Sequence, residues 1–306
     1  FVIYRAEHIF QRIPVHFVPG AKESYLDARR RGYTSIDALN HQIHLDGLGA
    51  TFAAHKLDML ERWQGGMSEY TKGHVLILAD SMNKGHQGIL LQRGLELMRP
   101  TFRRYGVEDI GSTRKLDVDR YGDEQNNEEV EAFVAEKVGN ENYDVIVFPE
   151  VVVQGGRTVP RTDAKTGIIF DIQDWMVDHG ILERENFGMQ RFDGRPLVRL
   201  FRLMEGLGKK VAITPVSING VNRLLKPKDQ HTTIITLRGL ASVLVAPLNL
   251  GFVSITVGIT EPIDDIKEAI RKRGGKFSSQ AFGDYVANMI AVNLPENKRG
   301  YYRRAE

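Results

Sequence analysis

Residues 33–46, which read YTSIDALNHQIHLD, are the most informative part of the chain. Its first part, Tyr33–Leu39, is a strand-like run that ends before Asn40, which predicts a strand. Residues 47–63, which follow the stretch, have the length and the apolar spacing of a helix. A strand that passes through a short loop into a helix is the repeating unit of α/β folds.

Short apolar runs and longer helical patterns alternate along the rest of the chain. Further strands are predicted at 74–79, 143–148, 210–218, 231–237 and 252–259, and further helices at 87–104, 128–138, 196–207, 264–272 and 281–294. Several strands are continuously apolar, which is typical of strands covered on both faces. The predicted fold class is therefore α/β, with a mostly parallel central sheet flanked by helices on both faces. A helical preface is expected over residues 1–32 and one α/β domain over residues 33–306.

The composition excludes several classes of protein. The chain has 306 residues, a net charge of +2 and no cysteine. The charge balance argues against a nucleic-acid binder, and the lack of cysteine excludes disulfides and thiolate nucleophiles. The most apolar stretch, residues 239–260, is rich in β-branched residues and is interpreted as a buried segment with a core strand. A membrane-spanning helix is the alternative interpretation.

His41 and Asp46 form a candidate catalytic pair at the end of the first predicted strand. His41 would lie on the connecting loop, and Asp46 would lie in the first helical turn, where the helix dipole favours an anion that orients the imidazole. His44 allows a second interpretation, in which His41, His44 and Asp46 are three metal ligands. A third interpretation is a loop histidine that only packs or caps.

Three further segments carry side chains suited to an anionic ligand. Glu150 follows the apolar run of residues 145–148 and Pro149, at the predicted mouth of the sheet. In residues 154–161, adjacent glycines allow close backbone approach to an anion, and two arginines are able to bind a phosphate; these residues are Gly155, Gly156, Arg157 and Arg161. Residues 111–120 hold a basic run with Arg114, Lys115 and Arg120, for which a solvated charge run is an equal alternative.

In this order, the segments resemble the motifs of the glycerolipid acyltransferases, the superfamily of glycerol-3-phosphate and lysophosphatidate acyltransferases. Asn40, His41 and Asp46 match the family's Asn-His-x4-Asp motif. The remaining matches are the basic run, the Phe-Pro-Glu and Gly-Arg-Thr parts of the third motif, the Pro-Val strand and a closing strand, and they fall at residues 114–120, 148–150, 156–158, 213–216 and 260–263. The Gly-Gly-Arg loop is most similar to the soluble chloroplast-type glycerol-3-phosphate acyltransferases.

The resemblance implies an activity and its partners. A fatty acyl group would pass from acyl-CoA or acyl carrier protein to a hydroxyl of glycerol-3-phosphate, with lysophosphatidate as the alternative acceptor. His41 would be the general base, and Asp46 would hold it. Arg157 would bind the acceptor phosphate with help from Arg114, Lys115 and Arg161. No cofactor beyond the acyl donor and no metal is expected.

Two other classes of function stay open, a metal-dependent hydrolase and a non-catalytic phospholipid-binding protein. On the acyltransferase interpretation the product is a lipid, so peripheral membrane contact is expected. The expected location is the cytoplasm, or the plastid stroma if a targeting segment precedes Phe1.

Overall fold

The computed structural model describes residues 14–40, 53–54, 56–61, 73–76, 128, 131–140, 143–149, 153–154, 157–158, 189, 192, 194–219 and 254–302. These residues form a seven-stranded sheet and a separate two-stranded hairpin. The strands are β1 (Val15–Phe17), β2 (Tyr33–Leu39), β3 (His74–Leu76), β4 (Asp144–Val147), β5 (Val153–Gln154), β6 (Arg157–Thr158), β7 (Lys210–Asn219), β8 (Ser254–Val257) and β9 (Glu261–Pro262).

The main sheet is mostly parallel. Its order is β1-β8-β7-β2-β4-β3, and β9 pairs with β7 beside this path. Strands β2, β3, β4 and β7 run in one direction, whereas β8 and β9 are antiparallel to β7 and β1 is parallel to β8. The predicted fold class is confirmed. Strand β2 has the predicted bounds, while β4 and β8 are shorter than predicted and β7 extends one residue further.

The described helices follow the predicted ones closely. They are α1 (Ala21–Arg30), α2 (residues 53–54 and 56–61), α3 (residues 131–134, continued as a π-helical turn over Ala135–Asn140), α4 (Gly194–Gly206), α5 (Ile263–Lys272) and α6 (Ser279–Ala291). Two short 3₁₀ turns, Glu296–Lys298 and Gly300–Tyr302, follow α6. The strand predicted at 231–237 and the helix predicted at 87–104 lie outside the described residues.

One face of the sheet is apolar. The register aligns Ile36 of β2 with Val145 of β4 and Ile213 of β7, so their side chains share a face. They belong to one buried cluster with side chains of α4, α5 and α6. Helices α4 and α6 meet at Gly194, where an added Cβ would collide with the Ser279 carbonyl. A glycine is needed at this crossing because the two backbones touch.

The opposite face of the sheet is polar. Ser35, Asp144 and His74 are aligned across β2, β4 and β3, and Asp37 lies on the same face two residues beyond Ser35. Helices α1 and α2 reach this face through polar side chains that are described below. The sheet is thus covered by helices on both sides, with an apolar interface on one side and a charged one on the other.

The first residues contribute more than a helix. Strand β1 pairs with β8, with Val15 opposite Ile255, and α1 begins shortly after it. The predicted helical preface over residues 1–32 did not include this strand, because three residues are too few for a visible alternation of polar and apolar side chains. At the carboxyl end of α1, Gly32 takes a positive φ of 78° and turns the chain directly into β2.

Candidate functional site

The carboxyl end of β2 is fixed by a side chain. Asn40, the residue before His41, is fully buried. Its Nδ2 donates to the Ile218 carbonyl oxygen at 2.9 Å, and its Oδ1 accepts from the Ile218 backbone N–H at 2.7 Å. The amide therefore pairs with β7 in place of a continuing strand backbone. The chain that leads into His41 therefore starts from a buried, hydrogen-bonded residue at the carboxyl end of β2.

Two motif-bearing segments leave the sheet at the same edge. Strands β2 and β4 are adjacent and parallel, with Ala38 opposite Val147. In the sequence, His41 comes three residues after Ala38, and Glu150 comes three residues after Val147. Phe148 and Pro149 are described and extend β4 toward Glu150.

Most predicted site residues lie outside the described part of the chain. They are His41, His44, Asp46, Arg114, Lys115, Arg120, Glu150, Gly155, Gly156 and Arg161. Arg157 is described only as backbone, at the start of β6. The predicted roles of these residues therefore stay predictions, and Asn40 is the one site residue whose side-chain contacts are described.

The Gly-Gly-Arg segment belongs to a β-hairpin. Strands β5 and β6 are antiparallel, with Gln154 opposite Arg157 and Val153 opposite Thr158. In the sequence, Gly155 and Gly156 lie between these two strands. Arg157 is thus the first residue of β6.

The Pro-Val strand of the family resemblance, residues 213–216, marks a change of strand partner. On one side of β7, β9 pairs opposite Ala212 and Ile213, and β8 pairs from Val216 onward. Pro215 lies between these two pairings, where a proline without an N–H interrupts the ladder least. Gly258 closes the gap by donating its N–H to the Pro215 carbonyl oxygen at 2.8 Å. The proline thus has a clear structural explanation.

A second group of polar residues lies under the polar face and was not predicted. We call Arg29, Asp37, Asp58, Glu61, His74 and Asp144 the buried charge network. Arg29 of α1 holds one half of it: its Nε lies 2.8 Å from Glu61 Oε1, and its Nη1 lies 3.0 Å from Asp144 Oδ1. The Tyr25 hydroxyl also donates to Glu61 Oε1, at 2.6 Å. One cation therefore joins α1 to both α2 and β4.

His74 holds the other half of the network. Its Nε2 lies 3.1 Å from Asp37 Oδ2 and 3.9 Å from Asp144 Oδ2, and its Nδ1 lies 3.3 Å from Asp58 Oδ1. These atoms are not aligned as hydrogen bonds, so the contacts are mainly electrostatic. The imidazole is fully buried and connects β2, β4 and α2.

A chain of hydroxyls ends on Asp37. The Ser35 hydroxyl donates to Asp37 Oδ1 at 2.6 Å and lies 2.7 Å from the Thr214 hydroxyl, which lies 3.1 Å from that of Thr260. A hydroxyl has one proton to donate, so Thr214 must donate to Ser35, and Thr260 must donate to Thr214. The hydrogen bonds all point toward the Asp37 carboxylate and stabilise its negative charge.

The electrostatics of the network favour a charged imidazole. Burial lowers the pKa of His74, but the carboxylates of Asp58 and Asp37 outweigh burial and hold that pKa well above its usual range. Burial raises the pKa of Asp144 to about 7, although Arg29 and His74 oppose the rise. Asp144 Oδ1 accepts from Arg29 and from the Ser35 N–H, so a proton on Asp144 would lie on Oδ2.

The sequence contained one signal for this network. Asp37 stands inside a strand that was expected to be covered on both faces, and a buried carboxylate requires a cation or several donors. The identity of the partners was not visible, because His74, Asp144 and Arg29 come from distant parts of the chain. Among the described residues, no group of histidine and carboxylate side chains is arranged to hold a metal ion.

Comparison with known proteins identifies no family for this chain. No protein-family model matches the chain, and no curated protein matches it significantly. Within the described ranges, no helix is long and apolar enough to cross a membrane. The described end of the apolar stretch 239–260 is strand β8, which pairs with β1 and β7.

Proposed function

We propose that the chain is an O-acyltransferase that transfers a fatty acyl group from acyl-CoA or acyl carrier protein to a hydroxyl of glycerol-3-phosphate. One observation supports this proposal most. The segments that carry His41 and Glu150 leave adjacent parallel strands at one edge of the sheet, in equal register. The carboxyl ends of parallel strands are where α/β folds place their ligands.

The proposed reaction needs only a base and a bound acceptor. His41 accepts the proton of the acceptor hydroxyl while the oxygen attacks the thioester carbonyl carbon. The new C–O bond forms, the C–S bond breaks, and the imidazolium returns its proton to the departing thiolate. Asp46 holds the tautomer and stabilises the imidazolium. No covalent enzyme intermediate is required, which suits a chain without cysteine.

The hydrogen-bonded residue before His41 supports the same proposal. Asn40 fixes the backbone immediately before His41 through two hydrogen bonds to β7. General-base catalysis depends on a base held within hydrogen-bond reach of its proton. A histidine that follows a buried residue held by two hydrogen bonds meets this requirement better than a histidine in the middle of a long loop.

The first experiment is a thiol-release assay with palmitoyl-CoA or palmitoyl-acyl carrier protein. Glycerol-3-phosphate, lysophosphatidate and buffer alone are compared as acceptors. We expect acceptor-dependent release, and His41→Ala should reduce it by about 10²- to 10⁴-fold. Release without any acceptor would identify a thioesterase, and no release with either donor would refute the proposal.

His44→Ala is the matched control, because His44 lies in the same segment. A general-base mechanism that uses His41 and Asp46 predicts nearly unchanged activity for this variant. A metal centre built from His41, His44 and Asp46 predicts a loss as large as that of His41→Ala, together with loss on chelation. The pair of variants therefore separates the acyltransferase from the metal-dependent hydrolase.

A second experiment tests the acceptor site. Arg157→Ala should raise the acceptor KM and leave the donor KM unchanged, because the guanidinium would bind the acceptor phosphate. Arg271→Ala, in the last turn of α5, is the control for loss of one surface cation. A change in donor KM alone would show that Arg157 binds the acyl donor instead.

A further inference from the structure

We propose that the buried charge network positions the chain segment that carries His41 and Asp46, by fixing α2 to the sheet through Asp58 and Glu61. The catalytic consequence rests on the proposed function, whereas the fixing of α2 does not. In this proposal, Asp58, Glu61, His74 and Arg29 are positioning residues that act through α2 and have no contact with substrate.

The first step is that polar contacts hold both sides of the segment. Residues 41–52 connect Asn40 to the first residues of α2. On one side, the Asn40 amide is hydrogen-bonded to Ile218 of β7. On the other side, Asp58 and Glu61 of α2 contact His74 and Arg29. The sheet and α2 thus define where the segment begins and ends.

The second step is that the contacts of α2 fix one position of the helix. Asp58 and Glu61 are three residues apart, so they lie on the same side of α2. Each meets a different cation, one on β3 and one on α1. A rotation or a shift of α2 would leave a buried carboxylate without its cation, which is strongly unfavourable. Buried apolar side chains of the same helix, such as Leu57, tolerate small shifts more readily.

The third step concerns His74, which is surrounded by acidic groups. Asp37 faces it from β2, Asp144 from β4 and Asp58 from α2, while Arg29 and Glu61 complete the network behind Asp144. If the imidazolium lost its charge, the buried carboxylates of Asp58 and Asp37 would repel each other with no cation between them. The contact between α2 and β3 therefore depends on a protonated His74, whose pKa is held well above its usual range despite burial.

The test is hydrogen–deuterium exchange measured by mass spectrometry on the intact protein. In His74→Gln and in Asp58→Asn, we expect amide exchange in residues 53–61 to become at least ten times faster. Exchange in α4 and α6, which cover the opposite face, should stay as in the wild type. Glu268→Gln removes an exposed ion pair with Lys272 on α5 and serves as the control.

A second measurement needs no variant. The ring-proton NMR signal of His74 in the wild type should stay at the position of a charged imidazole above pH 8. An imidazole that titrates near its ordinary pKa would overturn the proposal, as would unchanged exchange of residues 53–61 in both variants. The NMR measurement and the exchange of Asp58→Asn keep the proposal testable even where His74→Gln does not fold.

Kinetics separate this inference from the proposed function. If the wild type transfers acyl groups, Asp58→Asn should lower kcat at least tenfold and leave the acceptor KM within twofold. The decrease in kcat should be smaller than that of His41→Ala, because the base itself is retained. A wild type without acyl transfer but with the expected exchange and NMR results would refute the proposed function and leave the fixing of α2 established.

Discussion

Replacement of Asn40 by alanine tests the most specific contact at the candidate site. The side chain is fully buried, and its amide satisfies both the N–H and the carbonyl oxygen of Ile218, which is itself fully buried. Asn40→Ala removes both partners and supplies none. The two backbone groups of Ile218 are then buried without hydrogen bonds.

The expected cost follows from these two groups. Leaving one buried donor or acceptor unsatisfied costs about 1–3 kcal/mol, so the loss of both should lower the free energy of unfolding by about 2–6 kcal/mol. Urea denaturation followed by circular dichroism measures this loss. Asn293→Ala is the matched control, because the Asn293 side chain makes one partly buried hydrogen bond, to the Met289 carbonyl oxygen; its expected cost is about 1 kcal/mol.

Asn40→Asp provides a sharper form of the same test. A carboxylate still accepts from the Ile218 N–H, but it repels the Ile218 carbonyl oxygen. Protonation restores a donor, so the folded protein holds this proton above the ordinary pKa of an aspartate. Stability of the variant relative to wild type should therefore fall as pH rises from about 4 to 7. A loss below about 1 kcal/mol for Asn40→Ala, or a pH-independent Asn40→Asp, would refute the reasoning.

The remaining predictions concern the two faces of the sheet. Because the pKa of Asp144 is raised from 3.8 to about 7, the folded state keeps a proton that the unfolded chain has lost, and the free energy of unfolding should fall as pH rises through this window. Urea titrations at pH 4.5 and 7 measure this change in the free energy of unfolding. In Asp144→Asn, the part of the change that comes from one bound proton should be absent. Gly194→Ala should destabilise by about 3 kcal/mol or more through collision with the Ser279 carbonyl, whereas Gly206→Ala, with open space around it, should stabilise by up to about 1 kcal/mol. Equal thermal shifts for the two glycine variants would contradict the close approach of α4 and α6.

Most regular elements in the described ranges were predicted from the sequence, for a physical reason. Strands β2 and β7 are bounded by turn residues and carry buried apolar side chains on one face, and the helices α4, α5 and α6 show clear helical spacing. Local patterns of this kind carry most of the information about whether a segment is a strand or a helix. The strand β1 was missed because it has only three residues, and its position depends on pairing with β8.

The contacts at the candidate site could not be predicted in the same way. The pairing of Asn40 with Ile218 joins residues far apart in sequence, and the Asn-His pattern alone gave the amide no partner. The buried charge network has the same character, since Arg29, His74 and Asp144 become neighbours only after the sheet has formed. Patterns along the chain reveal which residues are unusual, whereas their partners depend on topology.

The two faces of the sheet have different roles: the apolar face drives folding, and the polar face fixes one arrangement of the elements. The apolar face, with Phe201 and Phe282 packed at 5.2 Å between ring centroids, buries the large side chains that drive folding. The polar face buries charges, and buried ion pairs contribute little net stability compared with apolar groups of equal size. What they contribute is a unique arrangement, because each misplacement leaves a charge without a partner. The segment with His41 and Asp46 lies between β2 and α2 in the sequence, where that arrangement is imposed. Removing one partner leaves a buried charge uncompensated, so variants of the polar face should lower global stability and also speed amide exchange in α2. Variants of the apolar face should lower global stability without a local effect on α2.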